Sequence, residues 1–413
     1  MNKLSFGNQP SISPARALLV FSHAWSSPLL RISPWRRPDN RTPHSPIMAS
    51  LVTASMGPPS LATVVALQSD GKIVVGGEVT NLGGVIRLNT NGTLDTTFGS
   101  GVVVTIRFRD VDNFAVGMGI QSDGKIVVAG TGLPQGGQIV RLNSNGTIDN
   151  SFGSAGSVSL SITPSQMVLQ PDGKILVGGS PAGTGMSELQ RFETDGQIDT
   201  GFGSGGSAPL LGLGTLALQP DGKILVTTGG FLPGAAGSLA RYNSDGSLDT
   251  RFGMSGQVAS LAAPAILLQP NGNVITAGSV TSTISLQGNS TGFGLARFVP
   301  KGSADFLFGL RGLVTTAFAN APQTGISALA LQSNGDIVAA GTAGSSSSQA
   351  FALARYGKGG QLDPSFGNGG QVTTNLGNVT AGLGAIVLQS DGKIVVVGNV
   401  NQGSLIVARY LGQ

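Results

Sequence analysis

The stretch LQSDGKIVVGG at residues 67–77, followed by RLNTNGTLDTTFG at residues 87–99, decides the fold, because both halves return in the same order along the chain. The first recurs seven times, with turn glycines at Gly71, Gly124, Gly173, Gly222, Gly272, Gly335 and Gly392, 49 to 63 residues apart. The second follows the first six copies, at 87–99, 141–153, 191–203, 241–253, 297–309 and 355–367. A seventh copy stops after Arg409-Tyr410. A fixed period of this length marks one supersecondary unit repeated side by side.

Each unit reads as four strands. In the fourth these are Ser207–Leu211, Thr215–Gln219, Lys223–Thr228 and Ser238–Asn243, with Asp221-Gly222 between the second and third. Asp-Gly between apolar runs predicts a tight hairpin whose two turn residues take positive φ. Apolar residues are nowhere sustained at helical spacing, so essentially no helix is expected. Four antiparallel strands per unit, seven times over, predict an all-β, seven-bladed β-propeller with four antiparallel strands per blade. A β-solenoid is the competing architecture, but its coils are shorter and lack such hairpins. Leu51–Ser55 supplies the first strand of unit 1, and Leu405–Tyr410 the fourth strand of unit 7. With both the ring is expected to close without an exposed edge.

Composition agrees. Glycine accounts for 65 of 413 residues and charged residues for only 11%, the mark of short strands joined by tight turns. Residues 1–48 differ: they are rich in Pro, Ser and Arg and carry no repeat. They are expected to be a disordered leader or an over-extended start with Met48 as initiator, leaving 49–413 as the propeller. The short apolar run at 17–21 is broken by Ser22 and His23, so it makes no convincing signal peptide, and no stretch is long enough for a membrane span. The leader also accounts for the high pI. Beyond residue 49 the chain holds 18 basic and 19 acidic residues, which argues against nucleic acid as a partner. It has no Cys anywhere, and no His or Trp after residue 48, so common nucleophiles, general bases and transition-metal ligands are missing. No catalytic residue, cofactor or bound metal is expected, and the protein is read as a monomer.

The paired motifs LQSDGKIVVGG and RLNTNGTLDTTFG resemble the delta-60 repeat family of bacterial β-propeller repeats, over about 365 of the 413 residues. That resemblance implies a propeller, often part of secreted or surface-attached bacterial proteins, and implies no activity. Units 5 and 6 depart from the pattern at Asn271, Asn273, Val299-Pro300-Lys301, Asp336 and Gly357-Lys358-Gly359. Those blades are expected to be irregular.

A constant offset of eight residues links Arg87/Asp95, Arg141/Asp149, Arg191/Asp199, Arg241/Asp249, Arg297/Asp305 and Arg355/Asp363. One offset repeated six times predicts a structural ion pair holding the long connection rather than an active site. The recurring Phe98, Phe152, Phe202, Phe252, Phe308 and Phe366 are expected to plug the space between blades. The loops resemble oxygen-rich calcium loops, best supplied in unit 3 by Glu193, Asp195 and Asp199, but turn chemistry explains the same residues.

Alternating strand direction puts the Asp-Gly hairpins and the long Arg-to-Gly connections on one face, nearly constant between units. The opposite face carries links that vary in length and content, and scaffolded loops are where function concentrates. On it, Arg107, Arg109, Asp110 and Asp112, with Glu188, are the candidate ligand-binding residues. The expected function is a non-enzymatic binding or structural module, for protein or glycan at a bacterial surface. The alternatives are a carboxylate-only hydrolase or lyase, using Asp110/Asp112 or Glu188/Glu193, and a purely architectural ring.

Overall fold

The computed structural model describes residues 48–54, 60–108, 111–133, 136–229, 236–261, 263–282, 290–377, 379–401 and 403–412. They form twenty-eight strands, with no helix among the described residues. After β1 (Met48–Ala54), blade 1 takes β2 (Ser60–Leu67), β3 (Ile73–Val79), β4 (Leu82–Leu88) and β5 (Val104–Ile106). Blade 2 is β6 (Val111–Ile120), β7 (Ile126–Leu133), β8 (Gly137–Leu142) and β9 (Ser157–Leu160). Blade 3 is β10 (Ile162–Leu169), β11 (Ile175–Pro181), β12 (Ser187–Phe192) and β13 (Ser207–Leu210). Blade 4 is β14 (Leu216–Leu218), β15 (Ile224–Gly229), β16 (Ala236–Tyr242) and β17 (Gln257–Leu261). Blade 5 is β18 (Ala265–Leu268), β19 (Val274–Ser282), β20 (Ser290–Phe298) and β21 (Leu313–Thr316). Blade 6 is β22 (Gln323–Leu331), β23 (Ile337–Gly344), β24 (Gln349–Tyr356) and β25 (Gln371–Thr374). Blade 7 has β26 (Ala381–Leu388), β27 (Ile394–Val400) and β28 (Ser404–Tyr410) from its own repeat.

Its fourth strand comes from the other end of the chain. The sheet runs β1-β28-β27-β26, with Leu51 opposite Ala408 and Ala54 opposite Leu405. The ring is therefore closed, as the sequence predicts, but the early strand completes the last blade rather than opening the first. The same correction applies throughout. The strand at 207–210 pairs with β12, Glu188 opposite Pro209, and is the outer edge of blade 3 rather than the first strand of blade 4. A short link allows either grouping on paper. The second motif decides it, because its turn folds the chain back onto the strand it has just left.

The first strands of the blades lie innermost: β2 touches both β6 and β26, and the succession runs on through β10, β14, β18 and β22. Apolar residues on both faces of each middle strand fill the seams. At the closing seam Ile73, Val75 and Ile86 meet Val395, Val397 and Val407, all within 2% of full burial. Each of the other six seams has its own cluster. Sheets buried on both faces need unbroken apolar runs such as IVVGG rather than an alternation.

The hairpin turns differ in type from expectation. Gly71 N donates to Gln68 O (2.8 Å), Gln68 N donates to Lys72 O (2.9 Å), and Gly71 has φ +80°. These are three-residue loops with one left-handed glycine, in which Asp70 uses Oδ1 to accept from Lys72 N (3.0 Å) instead of adopting positive φ itself. A two-residue turn with positive φ at both positions does occur at Thr80-Asn81, on the opposite face.

Blades 5 and 6 are regular, contrary to expectation. Their ladders keep the register of their sisters, and Arg297, Gly302, Asp305 and Gly309 make the same backbone bonds as their counterparts. Those residues define the connection; the altered ones between them do not.

Candidate functional site

The motif face is built from one device repeated around the ring. Each second-motif arginine leaves the end of a third strand and is held three ways. Its Nε donates to the aspartate eight residues on, at 2.7–3.0 Å in all six pairs. Its Nη1 crosses the seam to a carbonyl of the next blade: Arg87 to Ser144, Arg141 to Thr194, Arg191 to Ser244, Arg241 to Pro300, Arg297 to Lys358 and Arg355 to Gly412. Arg409 completes the circle, donating to Thr90 O of blade 1 at 2.9 Å. Six guanidinium groups also stack on the Phe-Gly phenylalanine of their own motif, 4.4–4.8 Å from the ring centre.

Those phenylalanines are fully buried, and each of five packs against the turn glycine of the following blade. At Gly246 the backbone has φ +89°, and a Cβ there would lie 2.8 Å from Phe202 and from Ala208. Gly246→Ala is therefore expected to cost about 2–4 kcal/mol, combining left-handed strain with overpacking. Gly205→Ala has φ +62° but nothing within 4 Å, and should cost no more than about 1 kcal/mol. Ala155, Ser255 and Arg311 already occupy the matching position in other blades. Urea unfolding of the two variants measures the difference; equal losses would refute the seam contact.

Four of the repeated aspartates, Asp95, Asp149, Asp199 and Asp363, have depressed carboxyls. Burial disfavours the charged carboxyl of Asp95, but hydrogen bonds from Thr97 and Lys72 and the charge of Arg87 outweigh it and hold the group well below the carboxylate range. Asp149 follows the same pattern through Ser151, Lys125 and Arg141. For Asp199 the Lys174 hydrogen bond is the leading cause, and Asp363 is lowered by Ser365 and Arg355 against its burial. A carboxyl depressed in the folded state contributes stability above its unfolded value, and that contribution is lost as pH falls toward the folded value. The urea midpoint should thus hold steady from pH 7 to about pH 5 and fall steadily below about pH 4. A midpoint unchanged down to about pH 2.5 would contradict these assignments.

In unit 3 the carboxylates of Glu193 and Asp199 are bridged by the Lys174 ammonium, at 2.8 and 2.7 Å. A cation already stands where a calcium ion would need to sit. Asp195 meanwhile accepts from Gln197 N in a turn. Among the described residues, no three His, Cys, Asp or Glu side chains gather as a metal site would require. Among the described residues, open clefts of about 490, 480 and 370 Å³ lie on this face, at the seams between blades 7 and 1, 1 and 2, and 3 and 4. All are lined by residues of the two repeated motifs, such as Asp70, Asp123, Asp172 and Arg191.

On the variable face, two of the five candidate residues, Arg107 and Glu188, have described side chains. Arg107 is exposed between β5 and β6. Arg109 and Asp110 lie outside the described residues, and Asp112 is on β6 with its side chain likewise outside them. Glu188, on β12 two blades along, accepts a hydrogen bond from Gln190 Nε2 at 2.9 Å. The Glu188/Glu193 pairing does not hold. Five residues along extended chain separate the two by roughly 16 Å and turn them to opposite sides, beyond the roughly 5–9.5 Å at which paired carboxylates cooperate.

The sequence reading passed over Phe108, in the same link. It is fully buried in the seam between blades 1 and 2, where Gly83 and Gly130 leave room for its ring: a Cβ at either would fall within 2.3 Å of it. Phe318 does the same work between blades 5 and 6, edge-on to Phe293 at 4.8 Å. For Phe108, a lone aromatic in a variable link opposite glycines in two neighbouring strands is the signal that could have revealed the anchor; Phe318 packs against Phe293 instead.

A family model described as "Domain of unknown function (DUF5122) beta-propeller" matches residues 68–98, 121–152, 170–202, 219–252, 332–366 and 389–412, one segment in every blade but the fifth. These matches support a β-propeller repeat family of unknown function. No curated protein matches the chain. Similar solved structures include the hydrazine synthase of Kuenenia stuttgartiensis, 10% identical, TM-score 0.55, covering 85% of this chain and 96% of that one. A Penicillium chrysogenum alpha-L-arabinanase complexed with arabinobiose is 12% identical, TM-score 0.43, covering 72% and 93%. A protein of unknown function from Bacteroides caccae is 14% identical, TM-score 0.35, covering 62% and 87%. At such identities the likeness is one of fold alone, and of these three only the first is close enough to bear on it.

Proposed function

We propose that this β-propeller is a non-enzymatic binding module that takes a protein or glycan at a bacterial surface through its variable face. One observation carries the reading. Each of the six repeated carboxylates is neutralised by the arginine eight residues earlier, which leaves none of them unpaired, whereas the links on the other side vary in length and content. Among those, the segment from Arg107 onward is held by the buried Phe108, so a rigid anchor stands beside the exposed charge. Scaffolded, chemically distinct loops are where recognition concentrates.

The test is binding of the full chain to arrays of glycans and purified bacterial surface components. A second chain carries Gly/Ser at 107 and 109–112 with Phe108 retained. A ligand held by the first and lost by the second supports the proposal. Equal retention, or none by either, refutes it. Turnover on a glycoside or ester panel that disappears with Asp110→Asn and Asp112→Asn would favour a hydrolase instead.

A further inference from the structure

Blade 5 keeps the backbone of the C-to-D connection, the link between third and fourth strands, but not the surface chemistry of its sisters. In all six connections the two residues after the motif aspartate, and the residue after Phe-Gly, are exposed. The other five fill the first pair with Thr96-Thr97, Asn150-Ser151, Thr200-Gly201, Thr250-Arg251 and Pro364-Ser365. Blade 5 has Phe306 and Leu307 there, 71% and 87% exposed. After Phe-Gly the others place Ser100, Ser154, Ser204, Met254 and Asn368; blade 5 places Leu310, 80% exposed. Leu313, across the next tight turn, adds a fourth apolar side chain at 37%. Single exposed apolar residues are ordinary, but four within eight positions form a patch. With side chains so open, the patch projects from the rim instead of lining a recess.

Positive charge surrounds it. Lys301 and Arg311 belong to the same connection, and both are exposed. The neighbouring connections are tied to it by backbone bonds: Gly253 N to Lys301 O on the blade 4 side and Gly309 N to Gly359 O on the blade 6 side, both 2.8 Å. These bring in Arg251, 89% exposed, and Lys358. Lys301, Arg311 and Lys358 enter no ion pair among the described residues. From residue 251 to 363 the chain has six arginine or lysine residues against Asp305, Asp336 and Asp363, while the rest of 49–413 has 12 basic and 16 acidic residues. A near-neutral body is thus polarised, with its positive sector around the apolar tip.

We propose that the blade 5 connection docks the propeller on an anionic lipid surface, with Phe306, Leu307 and Leu310 entering the headgroup boundary and Lys301, Arg311 and Lys358 facing lipid phosphates. A projecting apolar tip flanked by cations fits a bilayer interface, where shallow insertion and attraction to anionic headgroups add. It uses the motif face, away from the variable links, so it stands independently of the ligand proposed above.

The chain has no cysteine, so a single polarity-sensitive fluorophore can be placed at will. The full-length protein labelled through Leu307→Cys is mixed with phosphatidylcholine vesicles, or with phosphatidylcholine–phosphatidylglycerol vesicles. A chain labelled through Ser204→Cys, on blade 3, is the reference. The blade 5 label should shift to the blue only with the anionic vesicles, and the blade 3 label should not. Replacing Phe306, Leu307, Leu310 and Leu313 by the Thr, Ser, Ser and Gln of sister blades, in the unlabelled chain, should lower vesicle affinity at least about tenfold while leaving the melting temperature unchanged. No shift at position 307, equal shifts at both labels, or unchanged affinity of the fourfold variant overturns the proposal. So does a concentration-dependent dimer of the unsubstituted chain that the fourfold variant abolishes, since that assigns the patch to a second copy.

Discussion

Arg241→Ala is expected to lower folding stability by about 3–5 kcal/mol, the range for leaving one member of a buried ion pair alone. The arginine gives Asp249 contacts at 2.9–3.0 Å, reaches Pro300 O at 2.6 Å and covers the Phe252 ring. Alanine removes all of them. Asp249, only 4% exposed at its side chain, then keeps the Arg251 amide at 3.2 Å and a loose approach of the Arg251 guanidinium at 3.8 Å. Arg87→Ala should cost distinctly less, because Lys72 Nζ stays 2.9 Å from Asp95 and neutralises it. Combining Arg241→Met with Asp249→Leu should recover most of the loss, since an apolar pair of similar volume needs no charge partner. Urea midpoints at unchanged m-value measure all three. Equal losses for Arg241→Ala and Arg87→Ala would show that the staple across the seam, rather than the uncompensated aspartate, sets the energy.

Starting the chain at residue 55 instead of residue 48 should open the ring. The truncation removes the six paired positions that β1 makes with β28. At about 1 kcal/mol net per ladder hydrogen bond, the loss is roughly 5 kcal/mol. It also turns β28 into an edge, and Leu405, Ile406, Val407 and Ala408 on that strand are at most 3% exposed in the closed ring. A flat, apolar, unpaired strand invites pairing with other chains. The shortened protein should therefore melt earlier and associate in a concentration-dependent way by sedimentation, and a peptide of residues 48–54 should reverse both by adding back the strand. A truncated protein as stable as a chain that retains β1, and sedimenting as that chain does, would show that closure does not depend on β1.

Most of the architecture was legible because its determinants are local and repeated. Asp-Gly turns, IVV runs and the Arg-to-Asp offset each report on contacts within one blade, and seven copies average out the noise of any single one. What crosses between blades was harder to see. The strand at 207–210 could be attached to either neighbour until its hydrogen bonds to β12 were known. Sequence spacing likewise gives no hint that Arg141 Nη1 reaches Thr194 O, 53 residues away in the next blade. The candidate residues fared unevenly for the same reason. Arg107 and Glu188 stand out in the sequence as charges outside the repeats, a criterion blind to distance, whereas the anchor beside Arg107 is the apolar Phe108. Blade 5 was marked by its altered turn residues, but its consequential departure is Phe306-Leu307, where exposure, invisible in the alphabet, gives the substitutions their meaning.

Each C-to-D connection is specified by few residues: the arginine, its aspartate, the buried phenylalanine and two or three glycines. The outward positions between them take Thr, Asn, Gly, Pro, Met, Phe, Leu or Arg without moving the main chain. Six such connections amount to a rack of interchangeable sockets at fixed angular steps. New side-chain sets could be written into chosen sockets one at a time, giving a display scaffold whose spacing is set by the ring and whose lettering is free.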